Sequence, residues 1–163
     1  MAVPRVSVQA EDFDLSTEVA RLRGNDGRVG AVVSFVGTVR DWLPAEATTK
    51  QGDGLGACLE LEHYPGMTES AIDAMIDEAG RRFDLCGARV IHRVGRLAVG
   101  DQIVLVVTAS SHRGQAFSAC EFLMDWLKTH APFWKKEISA NGAHWVEAKA
   151  SDDEALARWG GSA

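Results

Sequence analysis

The sequence predicts an α+β fold with a mainly antiparallel or mixed sheet. Segments with strand-like alternation and segments with helix-like apolar spacing are mixed along the chain, roughly in the order βαβ, a long loop and βαββαββα. Several neighbouring strand segments are joined by only a few turn residues, which favours hairpins over the long crossovers that parallel strands need. A length of 163 residues fits one domain, so we expect residues 1–163 to form a single domain with a frayed end at residues 160–163.

The first part of the chain predicts two strands, a helix and a loop. Residues 5–9 alternate as a short strand does, and residues 16–23 are a short helix candidate. Residues 29–40 are largely apolar and β-branched, which is typical of a buried strand, and Gly37 within them indicates a bulge or a close backbone approach. Residues 41–56 have almost no periodicity and predict a long mobile loop.

The middle of the chain predicts three strands and two long helices. Apolar patterning indicates strands over residues 58–63, 88–97 and 102–109. Apolar residues at helical spacing predict helices over residues 67–83 and 114–130. The predicted inner face of the second long helix consists of Ala116, Cys120, Leu123 and Leu127.

The C-terminal part of the chain predicts a hairpin and a last helix. Pro132 should stop the preceding helix, because proline and the residue before it disfavour helical backbone. Strand segments 133–139 and 143–148 flank Asn141-Gly142, which is a strong hairpin signal. Residues 151–159 begin with the pattern of a capping box and predict a short helix.

The composition narrows the classes of partner. The formal net charge of −6 argues against general binding to nucleic acid or to a membrane surface, although a local cluster of cations can still bind an anionic small molecule. Residues 1–5 lack the apolar core of a signal peptide and no apolar run is long enough to span a bilayer, so we expect a cytoplasmic protein. The histidines lack metal-ligand spacing, and we expect neither a metal nor a cofactor.

Positive side chains cluster around the second long helix in an otherwise acidic chain. His112-Arg113 precede its first turn, where free backbone N–H groups and an arginine favour a phosphate or carboxylate site, although a solvated turn is an equally good interpretation. Lys128 lies in its last turn, where a lysine also complements the helix dipole. Lys135 and Lys136 face opposite ways if they lie in a strand, so at most one of them faces the helix end.

Arg40 is a further candidate, because it ends a buried strand beside the predicted loop, where binding residues are often placed. The alternative interpretation is a charge that simply emerges from the core. Lysines that are desolvated or close to other cations lose a proton more readily, so Lys128 and Lys135 can carry chemistry as well as bind. We expect Arg113 to lie near them and to lower the lysine pKa.

Five specific strings of residues occur in order along the chain. They are Phe35-Val-Gly-Thr-Val-Arg40, Leu61-Glu-His-Tyr-Pro-Gly-Met67, Ile91-His-Arg-Val-Gly95, Ser111-His-Arg113 and Met124-Asp-Trp-Leu-Lys-Thr-His-Ala-Pro-Phe-Trp-Lys135. Together they resemble the large, catalytic subunit of molybdopterin synthase, the MoaE family. The Glu-His-Tyr-Pro-Gly-Met and Ala-Pro-Phe-Trp-Lys strings are the most specific, and the resemblance covers nearly the whole chain.

The resemblance implies a fold, a reaction and a partner. The family has an α/β hammerhead fold with an additional antiparallel β subdomain. Its enzyme is a sulfurtransferase of molybdenum cofactor biosynthesis that converts cyclic pyranopterin monophosphate into the dithiolene molybdopterin. Two sulfurs arrive in turn, each as a thiocarboxylate on the C-terminal Gly-Gly of a small ubiquitin-like sulfur-carrier subunit. The implied assembly is a homodimer within a heterotetramer, with one small subunit at each outer end.

The resemblance also implies roles for individual residues. The essential catalytic lysine of the family matches Lys128, and the second lysine, which follows Phe-Trp, matches Lys135. The stretch between Arg40 and Cys58 is longer and richer in Gly and Thr than the family pattern, so the resemblance implies no contacts for it. The substrate-binding residues that the resemblance implies are Thr38, Val39, Arg40, His112, Arg113, Lys136 and Glu137.

Two other functions remain open from the sequence. One is a subunit that keeps the fold and the anion pocket but performs no chemistry, and the intact Lys128 and Lys135 argue against it. The other is a cysteine-dependent sulfurtransferase in which the chain itself carries sulfur. Cys58, Cys86 and Cys120 lie in or beside apolar segments and no feature marks an activated thiolate, so we expect reduced, mostly buried thiols.

Overall fold

A computed structural model describes residues 3–42, 57–140, 142–146 and 150–160 of the chain. These residues form eight strands and four helices. In chain order they are β1 (Val6–Gln9), α1 (Leu15–Arg23), β2 (Ala31–Thr38), β3 (Cys58–His63), α2 (Met67–Arg82), β4 (Gly87–Arg93), β5 (Gly95–Ala98), β6 (Gln102–Ser110), α3 (Arg113–Thr129), β7 (Phe133–Ser139), β8 (Gly142–Trp145) and α4 (Ala150–Ala157). Among these described strands, β7 and β8 are the one pair of sheet neighbours that is also consecutive in the chain.

The strands form two separate sheets of four. The first sheet has the order β1-β4-β6-β2, in which only the β1–β4 pair is parallel. The second sheet has the order β5-β3-β7-β8 and is antiparallel throughout. The α+β class with a mixed sheet and an additional antiparallel sheet is therefore confirmed.

Residues 88–97 form two strands rather than the one strand predicted. β4 ends at Arg93 in the first sheet, and β5 begins at Gly95 in the second sheet. Gly95 has a φ of 84°, in the left-handed region that glycine adopts without a steric penalty. This one residue turns the chain from one sheet to the other, while the apolar pattern continues on both sides of it and conceals the break.

Gly37 occupies an irregular position in β2, as the sequence predicts. The register with β6 shifts between Gly37 and Thr38, which is a local bulge. A Cβ atom at Gly37 would lie 2.7 Å from Cγ1 of Val104 on β6, so a larger residue would require the Val104 side chain or the local backbone to shift. The bulge redirects the end of β2, where three of the predicted substrate-binding residues follow one another.

The helices cover the two faces of the first sheet with separate apolar clusters. α1 packs on one face over a small cluster that contains Phe13, Ile91 and Leu105. α2 and α3 pack on the other face over the main core, to which the second sheet also contributes. The predicted inner face of α3 is confirmed, because each of its four residues is at most 8% exposed, and burying a leucine side chain stabilises the fold by about 1.5–3 kcal/mol.

Most other boundaries differ from prediction by one or two residues. α3 ends at Thr129, three residues before Pro132, as the proline predicts. Residues 43–56 of the predicted loop, residues 161–163 of the end predicted to be frayed and Asn141 of the predicted hairpin turn lie outside the described residues. Within the described part of the chain, none of the helices combines the length and the apolar character that a membrane span requires.

Candidate functional site

A cavity of about 520 Å³ opens where the two sheets meet the C-terminal end of α3. This volume lies within the range of about 300–1,000 Å³ that small-molecule sites occupy. Its wall combines apolar side chains such as Leu127 and Phe133 with a set of polar ones that come from five different elements and the segments next to them. The polar lining residues are Thr38, Arg40, His92, Lys128, Thr129, Lys135, Glu137 and Asp152.

Both predicted catalytic lysines line this cavity. Lys128 projects from the last turn of α3, and Lys135 from the third position of β7. The chain reverses at Pro132, so two lysines seven residues apart return to the same space. Lys128 is exposed and Lys135 is half-buried, so the cavity wall shields the second lysine more from solvent.

The alternation of β7 separates its neighbouring polar residues. Lys135 and Glu137 share the face that lines the cavity, as two residues at positions i and i+2 of a strand must. Lys136 lies on the opposite face, with its Nζ 4.5 Å from the ring centre of Trp145 and 4.0 Å from Oε1 of Glu60. The prediction that at most one of the paired lysines faces the helix end is confirmed. The structure does not bring Lys136, a predicted substrate-binding residue, to the cavity.

Thr38, Val39 and Arg40 line the cavity in succession after the bulge of β2. Val39 is only 2% exposed, and its backbone is already paired: its N–H donates to the Asp101 carbonyl at 2.9 Å, and its carbonyl accepts from the Gly100 N–H at 2.7 Å. Val39 therefore contributes an apolar wall and a fixed backbone. The exposed Thr38 and Arg40 on either side of it are the groups that can contact a ligand.

His112 and Arg113 do not line the cavity. His112 caps the N-terminus of α3 and Arg113 is its first residue, whereas Lys128 lies in its last turn. A helix rises 1.5 Å per residue, so roughly 22 Å along the axis separate Arg113 from Lys128. A straight helix cannot bring its two ends together, and the clustering of Arg113 with the lysines expected from the sequence does not occur within one chain.

His92 belongs to the cavity wall but was not predicted from the sequence. The ring is 8% exposed, stacks on Phe133 with 3.9 Å between ring centres, and has its Nδ1 2.8 Å from the Arg93 carbonyl oxygen. Burial lowers the pKa of His92 to about 4, the hydrogen bond to the Arg93 carbonyl opposes this, and Lys135, Lys128 and His63 lower it further. The ring is therefore neutral at pH 7, and it lies within the field of both lysines.

A pattern in the sequence could have revealed His92. It shares strand parity with Ala88 and Val90, which are buried in the main core on the α3 side of the first sheet. A histidine in line with such residues near the end of a strand is expected to point toward the same side as α3. From the sequence, His92 was considered only as a possible metal ligand, and this parity was not used.

The two most specific strings of the sequence contact each other and fix the position of Lys135. The Thr68 hydroxyl donates to the Pro132 carbonyl at 3.1 Å and accepts from the Tyr64 N–H at 3.1 Å. The Tyr64 ring packs edge-on against Trp134, with 4.3 Å between ring centres. The strings therefore hold the start of β7 against the start of α2, and Lys135 follows directly.

None of the three cysteines is among the residues that line the cavity. Cys120 is buried in the core, and burial raises the pKa of its thiol to about 11, so it stays protonated at neutral pH. Cys58 and Cys86 are half-buried. Among the described residues, no three His, Cys, Asp or Glu side chains are grouped so that they could hold a metal ion.

Comparison with known proteins relates the chain to one family. Residues 8–130 match the family model described as MoaE protein. The molybdopterin synthase catalytic subunit of Ralstonia nicotianae is 56% identical over 158 residues, which are 97% of this chain and 85% of the relative. The solved structure of the molybdopterin biosynthesis MoaE protein from Burkholderia ambifaria is 51% identical and superimposes with a TM-score of 0.78, covering 96% of this chain and 99% of that one.

A more distant structure shares the fold. It is a chain in the protein–protein complex of subunits 1 and 2 of molybdopterin-converting factor from Helicobacter pylori, which is 18% identical and superimposes with a TM-score of 0.68 over 90% of this chain and 92% of that one. The family model covers residues 8–130, and the relatives and structures at about 50% identity cover nearly the whole chain. The chain belongs to the MoaE family.

Proposed function

We propose that this chain is the catalytic subunit of a molybdopterin synthase. It transfers two sulfurs from the thiocarboxylated C-terminus of a small ubiquitin-like subunit to cyclic pyranopterin monophosphate, which forms the dithiolene of molybdopterin. The observation that carries the proposal is that Arg40, which follows β2, lines one cavity of ligand size together with Lys128 of α3 and Lys135 of β7.

The charges of the cavity fit both reactants. The pyranopterin carries a phosphate and the attacking group is a thiocarboxylate, so bringing them together opposes two negative charges. Positive side chains that are already in place lower this cost, and they act more strongly in a partly dry cavity than in water. Arg40 at the exposed end of β2 is suited to the phosphate, because a guanidinium binds phosphate oxygens in a bidentate manner.

The two lysines take different parts of the reaction. Lys128 transfers a proton and stabilises charge when sulfur adds and the phosphate-bearing ring opens. Lys135 holds the developing anion or the terminal carbonyl of the small subunit. Glu137, which lines the cavity on the same face of β7 as Lys135, accepts hydrogen bonds from the pterin ring in this proposal and so orients it.

The small subunit must reach the cavity with an extended C-terminal tail. A Gly-Gly end suits a narrow entrance, because glycine has no side chain to accommodate. Phe133 forms part of the wall that such a tail would pass, whereas Trp134 lies on the opposite face of β7 against Tyr64. The Helicobacter pylori chain with the same fold was solved in a complex of two subunits, which supports a partner of this kind.

A second copy of the chain supplies His112 and Arg113 to the cavity in this proposal. Within one chain these residues lie at the far end of α3, and the rigid helix keeps them there. The resemblance implies that they contact substrate and that the protein is a homodimer, and both requirements are met if the N-terminus of α3 of one copy faces the cavity of the other. A C₂ dimer would then contain two equal composite sites.

Replacing Lys128 with alanine tests the proposed chemistry. We expect Lys128→Ala to lower product formation by at least about 10²–10³-fold, as the loss of one preorganised charge-stabilising group does. The assay mixes the purified protein with thiocarboxylated small subunit and pyranopterin and measures dithiolene product. Light scattering should show an unchanged dimer, and turnover close to the wild-type rate would exclude the assignment.

Mixed dimers test the origin of His112 and Arg113. Lys128→Ala and Arg113→Ala homodimers should both be inactive. Mixing the two variants should restore roughly a quarter of wild-type activity, because half of randomly formed dimers pair one of each and contain one intact composite site. If Arg113 acted within its own chain, no mixture would contain an intact site and activity would stay absent.

The two other functions make different predictions. A non-catalytic anion-binding subunit would bind pyranopterin but form no product in the same assay. A cysteine-dependent sulfurtransferase would lose activity when Cys58, Cys86 and Cys120 are all replaced by alanine. We expect that variant to keep its activity if it folds, because none of the three thiols is among the residues that line the cavity.

A further inference from the structure

Among the described residues that line the cavity, His92 is a buried titratable group to which the proposed reaction gives no role. Its position is fixed on two sides: the ring stacks on Phe133 at 3.9 Å with an interplanar angle of 20°, and Nδ1 lies 2.8 Å from the Arg93 carbonyl oxygen. Such a doubly held ring cannot turn freely. Its remaining polar atom, Nε2, therefore has a defined direction.

The hydrogen bond to Arg93 determines the tautomer of His92. A carbonyl oxygen only accepts, so Nδ1 must carry the proton. The ring is neutral at pH 7, because burial holds the pKa of His92 at about 4. A neutral imidazole with a proton on Nδ1 has a free lone pair on Nε2, which makes that atom a hydrogen-bond acceptor and not a donor.

The groups around His92 are mostly cationic donors. Lys135 is the charge with the largest effect on the pKa of His92, followed by Lys128 and then His63. Lys135 projects from the same face of β7 as Phe133, the residue that stacks on His92, and all three line the cavity. The side chains of Lys135 and Phe133 therefore share one face of β7 with the His92 ring packed against it, and an ammonium group can donate to a neutral imidazole nitrogen.

We propose that His92 is a positioning residue: the Nε2 lone pair of its uncharged ring accepts a hydrogen bond from the Lys135 ammonium group and holds that group toward the bound anions. This inference rests on the proposed function of the cavity. A neutral acceptor is suited to the task, because a carboxylate in its place would also orient the lysine but would cancel its charge and repel both anionic reactants. Two carboxylates line the cavity among the described residues: Glu137, two residues after Lys135 on the same face of β7, and Asp152 in α4, and neither takes the position of His92.

The tautomer and the hydrogen bond can be measured on the wild-type protein without turnover. We expect ¹⁵N NMR at pH 7 to show Nδ1 of His92 protonated and Nε2 unprotonated. Lys135→Met should move the Nε2 resonance downfield, because the atom loses its donor, whereas Lys136→Met, on the other face of β7, should leave it unchanged. A proton on Nε2, or a resonance that does not respond to Lys135→Met, overturns the proposal.

Two variants separate the acceptor from the packing of the ring. His92→Phe keeps the stack on Phe133 but has no acceptor, and we expect kcat to fall on the order of 10²-fold, which is the cost of a misplaced catalytic group. His92→Gln returns an acceptor near the position of Nε2 and should recover most of that loss. A kcat for His92→Phe equal to that of the wild type, or a kcat for His92→Gln as low as that of His92→Phe, contradicts the role.

Controls distinguish failure of this inference from failure of the proposed function. His144→Phe alters an exposed histidine of β8 that is not among the cavity-lining residues, and it should leave kcat unchanged. If the wild-type protein forms no dithiolene, the proposed function fails while the NMR result still decides the hydrogen bond. If the wild type is active and Lys128→Ala is not, but His92→Phe matches the wild type, only the role of His92 is refuted. Should His92→Phe not fold, the wild-type and Lys135→Met spectra decide.

Discussion

Each face of β4 buries one basic side chain, and the surroundings of the two side chains differ. Arg89 faces α1, is 6% exposed, and pairs through its Nε with Oε2 of Glu18 at 3.1 Å. Three residues later, His92 faces the other side of the sheet and lies near two lysines, with its pKa depressed to about 4. On one face of β4, the buried Arg89 is paired with the carboxylate of Glu18. On the other face, the buried His92 is neutral at pH 7.

The difference shows how structure and function divide between the two faces. On the α1 face the charge of Arg89 is compensated internally, so it adds nothing to ligand binding. On the cavity face the charges of Lys128 and Lys135 remain directed at a space of ligand size, and the nearest buried base does not carry a charge of its own. Changes on the first face should therefore affect stability, and changes on the second should affect activity.

The largest expected effect is on the α1 face. Glu18→Leu leaves Arg89 buried without its carboxylate, and we expect the free energy of unfolding to fall by about 3–5 kcal/mol. The Nη1 atom of Arg89 already has no hydrogen-bond partner among the described residues, so few groups are available to replace the lost contact with Glu18. Urea unfolding at pH 7 measures the change.

The double variant is the control for this prediction. Glu18→Leu with Arg89→Met removes both charges and should recover most of the lost stability, because an apolar pair of similar size replaces the ion pair. The folded fraction of each variant should keep wild-type turnover. If the double variant is no more stable than Glu18→Leu, or if its folded fraction is inactive, the separation of the two faces is wrong.

The next largest effect comes from a comparison of two neighbouring lysines of β7, which lie on opposite faces of that strand. Lys135→Ala should lower kcat by about 10²–10³-fold, since in the proposed reaction the lost ammonium group stabilises developing charge. Lys136→Ala removes the same group from the opposite face, where it contacts Trp145 and Glu60, and should change kcat by no more than about twofold. Steady-state kinetics on the two variants checks this directly. Equal losses of kcat in the two variants would mean that the face of β7 on which a lysine lies does not decide whether it contributes to turnover.

The pH dependence of the free energy of unfolding tests whether His92 is neutral in the folded protein. In the unfolded chain His92 takes up a proton below pH 6.5, whereas in the folded protein it stays neutral down to about pH 4. The unfolded state therefore binds more protons in this window, and the free energy of unfolding should fall by about 3 kcal/mol as the pH drops from 6.5 to 4. Chemical unfolding at several pH values measures the slope. His92→Gln should flatten it, and an equal slope in that variant would show that other groups cause the loss.

Local patterns predicted much of the fold and part of the candidate site. Pro132 predicted the end of α3, the apolar spacing predicted its inner face, and alternation predicted that Lys135 and Lys136 separate. These features depend on neighbouring residues, so the sequence contains the information. The break of residues 88–97 at Gly95 was missed, because a left-handed glycine leaves the apolar pattern intact on both sides.

By itself, the sequence determined the α+β class, the strings that carry the family resemblance and which lysines are candidates for the site. These features depend on strand parity, helical spacing and turn residues, which act over only a few positions. Only the tertiary structure decided which cations share a cavity. It joined Arg40, Lys128 and Lys135, placed His92 among them, and kept Arg113 at the distant end of α3. The physical reason is that the cavity arises where two sheets and a rigid helix meet, and that geometry depends on packing between segments far apart in the chain.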